Sequence, residues 1–202
     1  MKHKLRMPLA LISLIFVLGM TDCSRRVSSS AATSPLPERS VYQIASKWKN
    51  LSGKTISLLE LRGKFRVVAF VYANCKNVCP LMVESMKAVE EGLQKRYGKH
   101  YGDKLGFVLI TLDPQKDSPE SLEAFLKKIG TRSSNWTLLQ GSEADTLELA
   151  TLMGIKYRRL EDGEIAHSLT LTLLSRDGEI LFQTESLTGK GKDFIDQIKK
   201  YF

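Results

Sequence analysis

The chain has 202 residues, with 43% hydrophobic, 26% charged and 8% aromatic side chains, the composition of an ordinary globular protein. Its formal net charge is +8; Lys2, Lys4, Arg6 and Asp22 account for +2 of that, which leaves +6 for the rest. The basic residues are scattered, without interleaved aromatics, so nucleic-acid binding is excluded as the main role, and no repeat of 20 to 50 residues suggests a solenoid.

The first element is a targeting segment. Lys2, Lys4 and Arg6 form a positive start, and Pro8 to Met20 is apolar with Ser13 as its one polar side chain. That run is too short for a membrane span of roughly 20 residues. Cys23 follows it directly and resembles the lipid-attachment box of bacterial lipoproteins, although Asp22 stands where a small uncharged residue is usual. A cleaved signal peptide and an uncleaved anchor are the alternatives. All three export the domain to face the periplasm, tethered to the membrane in the lipoprotein and anchor cases. Residues 24–40, Ser-rich with Pro35 and Pro37, read as a flexible tether. Residues 41–202, about 160 in all, suffice for one domain with a proper core.

Leu51 to Leu58 carries a Ser-Gly turn and predicts a hairpin, followed by a helical turn at Leu59 to Gly63. Phe65 to Ala73 is almost continuously apolar and predicts a strand covered on both faces. Leu81, Val83, Met86, Val89 and Leu93 predict a helix running from after Pro80 to Tyr97. Leu105 to Leu112 is a second buried strand. Ser118 caps a helix with Pro119 at its first position and Gly130 as its stop. Trp136 to Leu139 is a short strand, and Ser142 caps a helix over Glu143 to Met153. Ile155 to Arg159 leads to a charged loop. Ser168 to Leu174 and Glu179 to Thr184 are strands joined by the Arg176-Asp177-Gly178 turn. A last helix spans Lys192 to Tyr201. The order βαβ, then ββα, predicts an α/β thioredoxin-like fold with an N-terminal β-hairpin extension and a central insertion.

Cys75 and Cys79 sit where the first buried strand gives way to its helix, with Pro80 directly after. A helix N-terminus favours thiolates. With Cys23 lipidated, these two are the only cysteines left for the mature domain. A structural disulfide commonly closes a longer loop than theirs, so a redox pair or a soft-metal site is expected. A spacing of three residues, against two in redox thioredoxins, lets both sulfurs face one ion. Soft thiolates select Cu(I), and imidazole accepts copper in either oxidation state. Of the three histidines, His3 is in the targeting segment and His100 in a polar loop. His167 precedes a strand on the loop that faces the thiol-bearing helix in thioredoxin topology; on spacing alone, ligand and ordinary polar loop residue are equally open.

Three stretches together resemble the Sco/SenC family of copper-binding thioredoxin-like proteins. They are Phe70-Val71-Tyr72 through Cys75-x-x-x-Cys79-Pro80, then Leu112-Asp113-Pro114-x-x-Asp117-Ser118-Pro119-Glu120, and then His167-Ser168 with the Arg176-Asp177-Gly178 hairpin. The resemblance implies copper ligation by Cys75, Cys79 and His167, as Cu(I) and/or Cu(II). It also implies a partner: the copper-bearing subunit of cytochrome c oxidase, or another copper or thiol protein, served by metal delivery or by thiol reduction. Asp113 and Asp117 are read as structural support near the site. The chain departs from the family pattern at Lys76-Asn77, where Pro-Asp is usual, and at Ala166, where an acid is usual. The loss of carboxylates makes the pocket more positive, which lowers the thiol pKa values, weakens cation affinity and adds weight to redox chemistry.

The alternative from the enzyme class is a thiol-disulfide oxidoreductase, with Cys75 attacking and Cys79 resolving. A peroxiredoxin needs a Thr or Ser three residues before its cysteine, where this chain has Tyr72. Zinc is disfavoured, because nothing nearby reads as a general base for zinc hydrolysis. A monomer is the default for the fold.

Overall fold

The structure is a computed structural model that describes residues 34–76, 78–130, 134–185 and 192–201. The targeting segment with Cys23, the tether up to residue 33, and Asn77 of the thiol loop lie outside the described residues. None of the described helices is long and apolar enough to cross a membrane.

Two strands form the centre. β3 (Phe65–Val71) and β4 (Leu105–Thr111) pair in parallel from Phe65↔Leu105 to Val71↔Thr111. Every residue of β4 is buried, and only Arg66 of β3 is less than buried, as continuous apolar runs covered by helices on both faces require. β5 (Trp136–Gln140) adds in parallel beside β4. On the far side of β3, β8 (Leu171–Leu174) and β9 (Ile180–Thr184) add antiparallel. The expected hairpin is β1 (Lys47–Asn50) with β2 (Thr55–Ser57); its turn falls at residues 51–54, so its first strand lies earlier than the turn-centred reading placed it. β1 docks antiparallel on β5, which extends the sheet to the order β2-β1-β5-β4-β3-β8-β9. This is the thioredoxin-like α/β arrangement with its N-terminal hairpin extension.

The helices cover the sheet. α1 (Val78–Tyr97) buries Met82, Met86, Val89 and Leu93 along one stripe at helical spacing. Full burial of each such side chain contributes roughly 1.5–3 kcal/mol. α1 begins before Pro80, not after it. Proline is accepted there because the first-turn N–H groups have no partner within the helix. α5 (Lys192–Ile198) packs beside α1 so closely that a Cβ on Gly92 would lie 2.5 Å from Ile195 Cδ1. α2 (Tyr101–Lys104) leads into β4; α3 (Pro119–Lys128) and α4 (Glu143–Leu152) are capped by Ser118 and Ser142, as their sequences predict.

The described chain begins on the domain itself. Leu36 packs against the core, Ser40 is buried, and the Val41 N–H donates to the Gly178 carbonyl at 3.0 Å. Gly178, at φ +87°, allows that approach: a Cβ there would meet the Tyr42 ring at 2.7 Å.

The central insertion is α4 followed by a small separate ribbon. β6 (Tyr157–Arg159) pairs antiparallel with β7 (Ile165–His167), with Tyr157 opposite His167. His167 therefore ends a strand, where the sequence reading has a loop. The strand expected from Ser168 begins only at Leu171. The local reason is a closed turn: Leu160 N–H donates to Glu164 O at 2.8 Å and Gly163 N–H to Leu160 O at 3.0 Å.

Candidate functional site

β3 stops at Val71 because the last ladder bond, from Leu112 N–H to the Val71 carbonyl at 2.8 Å, ends the pairing there. The chain then turns, with the Cys75 N–H on the Tyr72 carbonyl at 3.2 Å. Cys79 lies in the first turn of α1, and its N–H donates to Cys75 Sγ at 3.2 Å. Both thiols are free; Cys75 is 6% exposed and Cys79 fully buried.

The two thiols have opposite acidities. The hydrogen bond from the Cys79 thiol holds Cys75 well below the usual thiol range, helped by the Cys79 N–H and opposed by burial. Cys79 is pushed up by donating to Cys75 and by burial. In the reduced state Cys75 is thus the thiolate and Cys79 the thiol.

His167 reaches this pair from β7. Its Nε2 lies 3.7 Å from Cys79 Sγ, and its Nδ1 lies 3.0 Å from the Ser168 carbonyl. A carbonyl only accepts, so the proton is assigned to Nδ1 and the Nε2 lone pair faces the sulfur. The Tyr72 ring meets the imidazole edge-on, with centroids 6.2 Å apart. Cys75, Cys79 and His167 are thus neighbours. Among the described residues no three Cys, His, Asp or Glu side chains form a closed metal-holding set as they stand. The donors suit a soft ion: two sulfurs and one imidazole nitrogen with its lone pair turned inward. The same pair can instead close a disulfide. His100 sits elsewhere, exposed beside Asp103 at 3.5 Å, and His3 is outside the described residues.

Asp113 and Asp117 follow β4 and hold the two arms of the site. Asp117, buried, accepts the Ala73 N–H at 3.1 and 3.2 Å, two residues before Cys75, and the Thr111 hydroxyl. Burial pushes its carboxyl up. Asp113 takes a fork from Arg159 of β6, at 2.6 and 3.1 Å, which fixes the ribbon that carries His167. A second tie joins the arms directly: the Tyr72 hydroxyl donates to Glu164 at 2.6 Å and accepts the Ile165 N–H at 3.4 Å. Tyr72, Thr111, Arg159 and Glu164 were not legible as supports. The partners of Tyr72, Arg159 and Glu164 are distant in the chain; those of Thr111, at Asp113 and Asp117, are two and six residues away, but a threonine ending an apolar strand carries no mark of that role.

The residues at the departures from the family pattern face water: Lys76 and Ala166 are exposed. A carboxylate at position 166 would have stood at the rim of the site; the aspartate of the family pattern falls on Asn77, outside the described residues.

Comparison with known proteins gives a consistent result. The sequence model of the SCO1/SenC family matches residues 39–202. A curated relative, the SCO1 protein homolog of Bacillus subtilis, is 26% identical over 137 residues, 66% of this chain and 68% of that protein. The chain spans less than two thirds of the length of further curated relatives. Among solved structures, a SCO1/SenC family lipoprotein from Bacillus anthracis superposes with a TM-score of 0.67 at 27% identity, covering 76% of this chain and 90% of that one. ScoI of Bradyrhizobium japonicum, determined with copper bound, superposes with a TM-score of 0.64 at 22% identity, covering 78% and 97%; at that identity the likeness concerns the fold.

Proposed function

Because the chain belongs to the SCO1/SenC family, we propose that it is a copper carrier whose cargo is held by Cys75, Cys79 and His167. The observation that carries this reading is the 3.7 Å approach of His167 Nε2 to Cys79 Sγ, with Cys75 Sγ under the Cys79 N–H. The donor set, two sulfurs and one imidazole nitrogen, supports the choice of metal. Loading releases the Cys79 proton, because the thiolate is the ligand. Reorientation of the thiol side chains then completes the set. The receiving protein is the copper-bearing subunit of cytochrome c oxidase, served by ligand exchange in the binuclear copper site. The domain works at the membrane as a monomer, with residues 1–23 as export segment, tethered through a lipid on Cys23, and 41–202 as working domain; of the expected tether 24–40, the end from Leu36 packs on the domain. Competition titration of the reduced full chain with Cu(I) should give about one equivalent bound. Equal affinity in Cys75→Ser would end this reading.

A second reading is favoured by the opposite thiol acidities. As an oxidoreductase, the Cys75 thiolate attacks a partner disulfide and releases one partner thiolate. Cys79, deprotonated, then attacks Cys75 Sγ, releases the second, and leaves Cys75–Cys79 oxidised; two electrons pass to the partner. The reduction potential of the pair tests it: a value too oxidising to reduce a partner disulfide removes the reductase.

A further inference from the structure

Basic residues that look scattered along the sequence gather at one pole of the fold. β3 and β4 start side by side at Phe65 and Leu105, and the thiols follow the other end of β3. α1 carries the chain back over 20 residues, about 30 Å, so its last turn, with Lys95 and Arg96, lies at the starting end of the strands. Lys99 follows in the short turn Gly98–His100, and Lys64 donates to the Gly102 carbonyl at 2.6 Å. The β8–β9 turn is at the same pole: the Gly63 N–H donates to the Arg176 carbonyl at 2.9 Å, and the Arg176 guanidinium lies 5.3 Å from the Phe65 ring centre. The Tyr201 ring is 5.6 Å from that of Phe65, which brings Lys200 there. Among the described residues none of these six cations pairs with a carboxylate. The nearby acids are largely engaged: Asp177 by Arg62, Asp103 by His100, Asp196 by Lys199, and Glu90 by Tyr101 and Trp136. Glu91 and Glu179 remain, and Glu38 is matched by its neighbour Arg39. The thiol end has no such excess: its exposed cations Lys76, Lys116, Lys156 and Arg158 are matched in number by the exposed Glu120, Glu143, Glu161 and Asp162.

Two tyrosines stand among the pole's cations: Tyr97 under the Arg96 guanidinium at 5.6 Å, and Tyr201, 40% exposed. Amphipathic rings beside cations suit a membrane interface. Between Lys64 and Lys99 a polar cleft of about 590 Å³ opens, with Gln94 and Asn135 on its wall, large enough for a headgroup. The described chain also begins at this pole: Arg62 donates to the Ser34 carbonyl at 2.9 Å while it holds Asp177 of the β8–β9 turn. Ser34 stands eleven residues after Cys23, so attachment at Cys23 is at most about 40 Å away along the chain.

We propose that this pole lies on an anionic lipid surface and thereby holds the thiols at the outward end of the domain, about 30 Å from the headgroups. The inference rests on the membrane attachment proposed above and is independent of copper. Each cation near an anionic surface adds a weak attraction that fades within a Debye length. A short attachment raises the local concentration, so a weak attraction suffices to orient the domain.

The test reconstitutes the full chain into vesicles of phosphatidylcholine alone, or with about one third phosphatidylglycerol, and acetylates exposed lysines with a small neutral reagent. Mass spectrometry reads each lysine separately. At low ionic strength Lys95, Lys99 and Lys200 should react about threefold more slowly on the anionic vesicles than on the neutral ones, while Lys76, Lys116 and Lys156 at the thiol end keep their rates. The contrast should vanish at about 0.5 M salt. The triple charge reversal Lys95→Glu, Arg96→Glu, Lys99→Glu should return Lys200 to its rate on neutral vesicles. The salt dependence of the wild type reads the same attraction if the variant folds poorly. Equal rates on the two vesicles, slowing at both ends alike, or slowing that salt leaves intact would each overturn the proposal. Slowing by soluble polyglutamate but not by phosphatidylglycerol assigns the pole to an acidic protein and overturns it too. A chain that floats with neither vesicle overturns membrane attachment and this inference together. Cu(I) stoichiometry is measured on the same vesicles: a chain that binds Cu(I) without the contrast between the poles sinks this inference alone, and the contrast without Cu(I) binding sinks the carrier reading alone.

Discussion

Replacing Arg159 with methionine should release the ribbon that presents His167. The side chain keeps its apolar stem but loses the fork on Asp113, at 2.6 and 3.1 Å. The Asp113 side chain is 5% exposed and that of Arg159 is 39% exposed. Breaking a fully buried pair costs about 3–5 kcal/mol, because the remaining charge stays buried without compensation. Here water reaches one partner, so the loss is smaller: about 2 kcal/mol, in the range for a hydrogen bond to a charged group. For a domain of this size that lowers Tm by roughly 4–8 °C. Adding Asp113→Asn removes the buried charge, so the double variant should recover part of the loss. Urea unfolding of all four members of the cycle measures the coupling, expected at 1 kcal/mol or more in the direction of attraction, within the range of about 0.5–3 kcal/mol for contacting pairs. Coupling below about 0.3 kcal/mol, the level of independent sites, would refute the reasoning and demote the fork to a surface contact.

The tie from Tyr72 to Glu164 should behave similarly on a smaller scale. Tyr72→Phe keeps the ring against His167 but loses the 2.6 Å bond, for about 1 kcal/mol in urea unfolding and faster exchange of the Ile165 amide; an unchanged Ile165 amide would contradict the tie. Tyr42 is buried and its phenol is pushed up to about 12, mainly by desolvation. A folded-state value above the unfolded one means that its contribution is present below pH 10 and is lost as pH rises toward 12, by roughly 2–3 kcal/mol in all. Alkaline unfolding should therefore flatten in Tyr42→Phe, and an identical pH profile would remove this cause. The depressed Cys75 pKa predicts alkylation by iodoacetamide that is slow, because the thiol is buried, yet independent of pH from about 5 to 8. In Cys79→Ser the rate should regain a pH dependence, since the largest stabilising bond becomes weaker; a pH-flat rate in that variant would contradict the assigned donor.

How legible the molecule was in its sequence depended on range. β3, β4 and α1 announce themselves through long apolar runs and a helical stripe, and Ser118 and Ser142 mark their helices by local capping chemistry. Topology put His167 on the loop facing the thiol-bearing helix and left its role open; the grouping of Cys75, Cys79 and His167 came from the family resemblance. The β6–β7 ribbon did not: Tyr-Arg-Arg and Ile-Ala-His are too short to show a period of two. The same limit hid Arg159 and Glu164, whose partners Asp113 and Tyr72 stand 46 and 92 residues away and leave no local trace. The Asp113 and Asp117 pair was recognised as support, but only the structure divides the work, Asp117 for the thiol loop and Asp113 for the histidine ribbon.

The central claim is a single cargo held by both thiols and the imidazole. X-ray absorption of the Cu(I)-loaded full chain, compared with Cu(I)-loaded His167→Ala, tests it most directly. The account predicts two sulfur neighbours and one nitrogen neighbour in the parent, and loss of the nitrogen shell alone in the variant. Identical spectra would remove His167 from the site, and a parent spectrum with fewer than two sulfurs would contradict the account as a whole.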